Sequence, residues 1–221
     1  MDLTKTQNFA TAVAIGAGLV LATSANAAIS IVNPSFEDTV YGDQGSGTGT
    51  AGWVNGSGGT YNPQDAQFTG TTGAPGTIPG TGDGTQVAYM NGSSPMYQSV
   101  GTIAAASVYE LTVAIGQRLE TAWSNLTVEL RATNQNGTVL ASDVFDAADA
   151  PDGTFSDVSI SFNSADFSGE VSNDLVITFR SVGVQALYDN VRLTETLIPE
   201  PSSLALLGLG GLLVARRRRT V

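Results

Sequence analysis

The sequence predicts an all-β domain, an antiparallel jelly-roll β-sandwich, flanked by an N-terminal signal helix and a short C-terminal transmembrane sorting helix. Three observations predict it. Apolar residues alternate with period two in stretch after stretch of the middle. Gly, Asn and Asp turns separate those stretches, with no sustained helical period between them. The two ends are different in kind, each an apolar run beside basic residues. A chain of 221 residues is then one domain with two trafficking segments: residues 1–27, 28–196 and 197–221.

Lys5 precedes an apolar run from Phe9 to Leu21, and Ala25 and Ala27 put small residues at the two cleavage-pocket positions. This is the pattern of a secretory signal peptide cut after Ala27. The run from Ala12 to Leu21 is apolar all round, which argues against an amphipathic first helix of the domain.

In the middle, Tyr109, Leu111, Val113 and Ile115 interleave with polar or small residues, and Leu126, Val128 and Leu130 with Thr127, Glu129 and Arg131. Both are half-buried strands, and the alternation sends Glu110 and Glu129 to solvent. Further strands are expected at 29–32, 86–90, 96–100, 139–145, 158–162, 175–181 and 186–194. Asn136-Gly137 predicts a tight hairpin, because both central positions of such a turn take positive φ. Residues 41–60 and 68–84, dense in Gly, Thr and Pro, are expected to be long loops.

In the last strand, alternation through Leu187, Asp189, Val191 and Leu193 puts a carboxylate on an aliphatic face. A buried, unpaired carboxylate costs several kcal/mol, so it needs an arginine, a shifted pKa or a metal. Ca²⁺ suits an acidic exported domain, and Glu37 of Asn33-Pro34-Ser35-Phe36-Glu37 is the natural second ligand, with Phe36 plugging the core. The alternative is that Asp189 sits in a turn and caps backbone N–H groups. At the C-terminus, Pro199-Glu200-Pro201 precedes an apolar stretch from Leu204 to Ala215 and then Arg216, Arg217, Arg218 and Arg219. Twelve apolar residues rise about 18 Å as a helix, short of a roughly 30 Å hydrocarbon core, as befits a transient anchor with a positive cytoplasmic stop.

Composition excludes several chemistries. Cys and His are absent, which removes thiolate nucleophiles, imidazole bases, disulfides and ordinary zinc sites. Between the two trafficking segments four arginines face eighteen acids without a lysine, a net charge of −14. Such a surface repels phosphate backbones, so nucleic-acid binding is not expected, and a Schiff-base lysine is excluded.

Pro199-Glu200-Pro201, the Leu/Gly-rich span and the arginine cluster resemble the PEP-CTERM sorting signal. That resemblance implies transient residence in the inner membrane, cleavage near the tripeptide by an exosortase-type enzyme, and delivery to the cell surface or extracellular matrix of a Gram-negative bacterium. A tail anchor that is never cleaved would share the span and the arginines without the tripeptide. Asn33 to Glu37, Gly52-Trp53, Tyr61-Asn62-Pro63, Asp83 to Gly92 and Leu187 to Leu193 together resemble galactose-binding-like, carbohydrate-binding-module jelly rolls. This implies a structural Ca²⁺ joining the first and last strands, through Glu37 and Asp189. Sugar binding needs aromatic faces, for which Trp53, Tyr61, Tyr97 and Trp123 are the available rings, with core packing as the alternative for each. A similar calcium-binding jelly roll occurs in the Stig cyclases, where a carboxylic acid in an aromatic pocket promotes a cyclisation, but no residues here match that arrangement. The expectation is a non-catalytic, calcium-stabilised surface or matrix domain that binds extracellular polysaccharide, with a small calcium-stabilised enzyme as the alternative.

Overall fold

In the computed structural model, residues 25–69, 78–150, 152–183 and 185–198 are described. Twelve strands build two antiparallel sheets: β1 (Asn26–Ile29), β2 (Ser46–Gly47), β3 (Val54–Asn55), β4 (Gly58–Tyr61), β5 (Val87–Met90), β6 (Met96–Thr102), β7 (Ser107–Gly116), β8 (Asn125–Ala132), β9 (Val139–Phe145), β10 (Phe155–Asn163), β11 (Asp174–Val182) and β12 (Ala186–Leu197). One sheet runs β10-β7-β12-β5-β4-β2, with β1 also paired to β12; the other runs β3-β6-β11-β8-β9. The result is a jelly-roll sandwich. The signal helix, Pro199, Glu200, Pro201 and the Arg216–Arg219 cluster lie outside the described residues.

The alternating apolar residues close the space between the sheets. Tyr109, Leu111, Val113 and Ile115 of one sheet share a core with Leu126, Val128, Leu130, Leu175, Ile177 and Phe179 of the other. At one end four rings interlock. Phe36 lies 5.5 Å from Trp53 and 5.6 Å from Tyr188, while Phe179 stacks on Trp53 and sits 4.4 Å from Tyr188. Burying such rings removes on the order of 150–250 Å² each from water, which makes this cluster a principal anchor of the sandwich.

Several expectations are corrected. The first strand is Asn26–Ile29 rather than 29–32. Beyond Ile29 the chain leaves the sheet, and the Gln98 side chain substitutes for a strand partner: it accepts from the Val32 N–H at 2.8 Å and donates to the Val32 carbonyl at 3.0 Å. Residues 41–60 are not wholly loop, since β2, β3 and the first three residues of β4 fall within them. The β8–β9 hairpin forms, but Thr133 carries the positive φ of 72° and neither Asn136 nor Gly137 does, so the turn is longer than two residues. Glu129 is 5% exposed rather than solvated. Arg131, two residues along the same face, and Arg180 on β11 both hydrogen-bond its carboxylate. Burial alone would raise its pKa; the two guanidinium groups outweigh that and hold it below the ordinary value.

Candidate functional site

The outer face of the larger sheet carries two polar features on either side of a small apolar cluster. That cluster contains Phe68, Ile78, Val87, Ala114, Phe155 and Leu187, with Tyr61 and Tyr89 packed against it. Leu187 and Asp189 sit on this face, whereas Val191 and Leu193 pack in the sandwich core. Simple alternation fails here because β12 bulges: Asp189 pairs with Ala114 and Arg192 with Thr112, leaving one extra residue. Asn190, at φ 44°, takes the turn.

Asp189 is fully buried. Its carboxylate accepts the Asp83 N–H and the Asn190 N–H, both at 2.7 Å. Glu37 lies within the same field and accepts the Thr85 and Gln86 N–H groups at 2.7 Å, plus the Thr85 hydroxyl at 3.2 Å. The arch between them, Gly82-Asp83-Gly84, passes too close for side chains at its two glycines. A Cβ on Gly84, at φ +68°, would stand 2.3 Å from Glu37 Oε1, and one on Gly82 3.2 Å from Asp189 Oδ2. The Asn33–Glu37 turn joins the same node, for the Pro34 carbonyl accepts the Val191 N–H and the Ser35 hydroxyl donates to Asp83.

Among the described residues no cation balances this node. Arg131 and Arg180 are held by Glu129, Arg192 by Asp157, and Arg118 lies beside Glu120. Burial therefore pushes the Asp189 carboxyl up to about 8; the two N–H donors oppose the rise, and the charges of Glu37 and Asp83 add to it. Both turn-capping and core burial are thus satisfied by one carboxylate. An oxygen-loving ion fits the donor set, since Glu37 Oε2 is engaged only by the long Thr85 hydroxyl contact and each Asp189 oxygen accepts a single N–H. Among the described residues no three acidic side chains form a metal cluster, so main-chain carbonyls would have to complete the shell.

The second feature is a cavity of about 320 Å³, lined by Tyr61, Tyr89, Arg118 and Gln185 together with amide and hydroxyl side chains from residues 44–91. No aliphatic side chain lines it. The two tyrosine rings meet edge to face at 5.7 Å. Three buried polar atoms of its lining make no hydrogen bond: Tyr61 Oη, Arg118 Nε and Gln185 Oε1. Burial raises the Tyr61 phenol far above the ordinary tyrosine range; the Arg118 charge lowers it and Glu120 raises it further. The phenol therefore stays protonated under ordinary conditions and has an O–H to donate, while its oxygen can still accept.

Of the four rings expected to offer faces to a ligand, only Tyr61 lines this cavity. Trp53 and Trp123 are in the core, 6% and 4% exposed, with their indole N–H groups given to the Asn33 and Gly116 carbonyls. Tyr97 lies on β6 in the other sheet, half-buried and paired with Val54 and Thr178. Tyr89, Arg118 and Gln185 were not anticipated. The one signal for Arg118 in the sequence is its rarity, a cation in a strongly acidic domain. Ala27 stands in β1 opposite Glu195, and the Ala25 carbonyl accepts the Leu197 N–H.

Comparisons with known proteins fit this architecture. The model of the PEP-CTERM protein-sorting motif matches residues 197–219. Among the described residues no helix is long and apolar enough to cross a membrane. No curated protein sequence matches the chain. Among solved structures, a Stig cyclase from Fischerella sp. TAU, in complex with (3Z)-3-(1-methyl-2-pyrrolidinylidene)-3H-indole, superposes with a TM-score of 0.64 at 20% identity, covering 79% of this chain and all of that one. A cyclase from the same organism, in complex with 4-(1H-indol-3-yl)butan-2-one, gives 0.62 at 22%, with 79% and 100% covered. A xylan-binding CBM22 domain from Paenibacillus barcinonensis gives 0.44 at 15%, with 75% and 93% covered. At these identities the likeness is one of fold. The decisive match is the HpiC1 cyclase family model over residues 27–194, which overturns the expectation of a non-catalytic domain: the chain belongs to the HpiC1-like cyclase family.

Proposed function

We propose that the protein is an exported, exosortase-sorted enzyme of the cyclase family, whose substrate is a hydroxylated small molecule or sugar unit seated in the Tyr61–Arg118 cavity. The observation that carries this reading is the set of three buried polar atoms without hydrogen bonds, Tyr61 Oη, Arg118 Nε and Gln185 Oε1, around one cavity. Buried polar groups are almost always paired, so three orphans in one place suit a site whose partners arrive with a ligand. An amide-rich lining matches hydroxyl groups better than a planar apolar ring system. The chemistry available is that of a neutral phenol beside a guanidinium. Tyr61 donates to an oxygen on which negative charge develops, Arg118 supports that charge, and the walls hold the reacting ends of one molecule together.

The test is calorimetric titration of the purified full-length chain with neutral sugars, followed by chromatography for an isomer of any ligand that binds, because ring closure without redox change conserves mass. Tyr61→Phe and Gln185→Leu should each weaken binding about tenfold, the loss of roughly one well-made hydrogen bond, while the melting temperature stays within about 2 °C. Unchanged affinity in both variants would remove the cavity from consideration.

The cation is a separate proposal. Glu37 and Asp189, with neighbouring backbone carbonyls, would hold Ca²⁺. Its role would be to neutralise a buried carboxylate and pin the Asn33–Glu37 turn to β12, with no part in the reaction. The support is the absence of any basic partner at the node among the described residues.

A further inference from the structure

Three of the four arginines among the described residues are committed. Arg131, Arg180 and Arg192 each hydrogen-bond a carboxylate. Arg118 differs. Its side chain is 14% exposed, its Nε stands 3.5 Å from Glu120 Oε1, too far and too poorly aligned for a hydrogen bond, and Glu120 itself is 48% exposed. A largely buried guanidinium that, among the described residues, is held only by a loose, solvated carboxylate is a cation kept ready for another anion, since a pair with so exposed a partner contributes little. The second donor beside it is the Tyr61 hydroxyl, buried and equally without a partner.

We propose that the ligand of this cavity carries a carboxylate, held jointly by the Arg118 guanidinium and the Tyr61 hydroxyl, with its hydroxyl groups met by Gln185 and the other amides: a sugar acid such as a uronate. This rests on the cavity being the ligand site and adds the charge of what it takes. The geometry favours an anion over a neutral sugar because the Arg118 guanidinium is charged and can only donate, and the unpaired Tyr61 hydroxyl has its O–H to give the same group as a second donor, while Gln185 Oε1 supplies an acceptor for a hydroxyl. The strongly negative surface works against casual uptake of anions, so a carboxylate that binds does so through this contact and in competition with Glu120.

The experiment titrates the full-length chain with D-galacturonate, its methyl ester, D-galactose and acetate. Galacturonate should bind at least tenfold more tightly than the ester or galactose, and more tightly than acetate. Arg118→Gln should abolish that preference, and Glu120→Gln, which frees the guanidinium, should strengthen galacturonate binding several-fold. Equal affinity for galacturonate, ester and galactose overturns the inference and leaves the cavity as a neutral-sugar site. Binding of acetate as tightly as galacturonate overturns the sugar-acid assignment, and binding of none of the four overturns the inference and the cavity reading together. If Arg118→Gln fails to fold, an unchanged or weakened affinity in Glu120→Gln overturns the inference on its own.

Discussion

Asp189 makes the stability of this fold depend on pH in a direction opposite to that of most carboxylates. In the unfolded chain it ionises at its ordinary value of 3.8, whereas in the fold it keeps its proton up to about 8. The folded state therefore binds the extra proton, and stability is fully present below pH 4, falls as pH rises from 4 to 8, and levels off above. The difference across that window is about 6 kcal/mol, and about 4 kcal/mol of it is gone by pH 7, a large part of a typical domain's 5–15. Replacing Asp189 with Asn removes the titration. It also sets an amide NH₂ against one of the two N–H donors, from Asp83 or Asn190, at a cost of about 1–3 kcal/mol. With chelator present, Asp189→Asn should be less stable than the parent by about 1–3 kcal/mol at pH 4 and more stable by about 3–5 kcal/mol at pH 8.5. Denaturant unfolding at both pH values measures this, and the other titrating groups cancel in the difference. Two parallel profiles, with no crossing, would refute the burial argument.

Calcium should raise the melting temperature of the parent at pH 7, by the equivalent of about 2.7 kcal/mol at a hundredfold excess over its dissociation constant, and leave Asp189→Asn unmoved; an equal shift in both, read by differential scanning fluorimetry, would disqualify Asp189 as a ligand. Gly84→Ala forces a Cβ to 2.3 Å from Glu37 Oε1 at a φ of +68°, so urea unfolding should show a loss of about 2–4 kcal/mol, and a loss under 1 would mean the arch gives way freely. Glu129→Gln leaves Arg131 and Arg180 with neutral acceptors only, among them the Gly137 and Gln135 carbonyls, and should cost about 3–5 kcal/mol at pH 7. Because the Glu129 pKa is lowered in the fold, its contribution is present above the ordinary value near 4.5 and disappears as pH falls below it; a variant penalty that persists unchanged at pH 2.5 would contradict the ion-pair account.

Period-two alternation was sufficient to locate β7, β8 and β11, because every second residue of each, Tyr109 to Ile115, Leu126 to Leu130 and Leu175 to Phe179, is apolar and enters one core. It foresaw the burial of Asp189 but put Val191 and Leu193 on the same face, because a bulge is one extra residue in a ladder and leaves no mark in apolar spacing; an Asn, which tolerates positive φ, is the sole local hint. The burial of Glu129 was legible in principle, since Arg131 stands two residues away on the same strand face, yet its second arginine comes from β11 and is a tertiary fact. Trp53 lies in Gly-rich sequence and Trp123 just ahead of a strand, and neither pattern decides between a ligand face and the core, because burial depends on where the loops fold. The cavity was invisible for a related reason. Its walls come from segments as far apart as residues 44 and 185, and β2, only two residues long, has no period to detect.

The positions of β1 and β12 bear on how the expected signal-peptide cut and the sorting motif are related. Asn26 pairs with Thr196 and Ala27 with Glu195, so the segment expected to carry the signal-peptide cut is hydrogen-bonded beside the residues that lead into the sorting motif. Cleavage after Ala27 removes two of the four β1–β12 pairs and the Ala25 contact to Leu197, and leaves the tail of β12 held on one side only, by β7. Backbone hydrogen bonds continue to Leu197 and Ile198, the residue before Pro199. Proline has no N–H to give a ladder, so the tripeptide offers no donor at Pro199 or Pro201 for further strand pairing. A protease needs several residues of extended, unpaired backbone, and trimming β1 lowers the cost of freeing them from the sheet. N-terminal processing should therefore precede and favour tail cleavage. A chain with Ala25 and Ala27 both changed to Gln, blocking the first cut, should accumulate with its C-terminal tag intact, as read by intact mass, and tail removal at the normal rate would separate the two events.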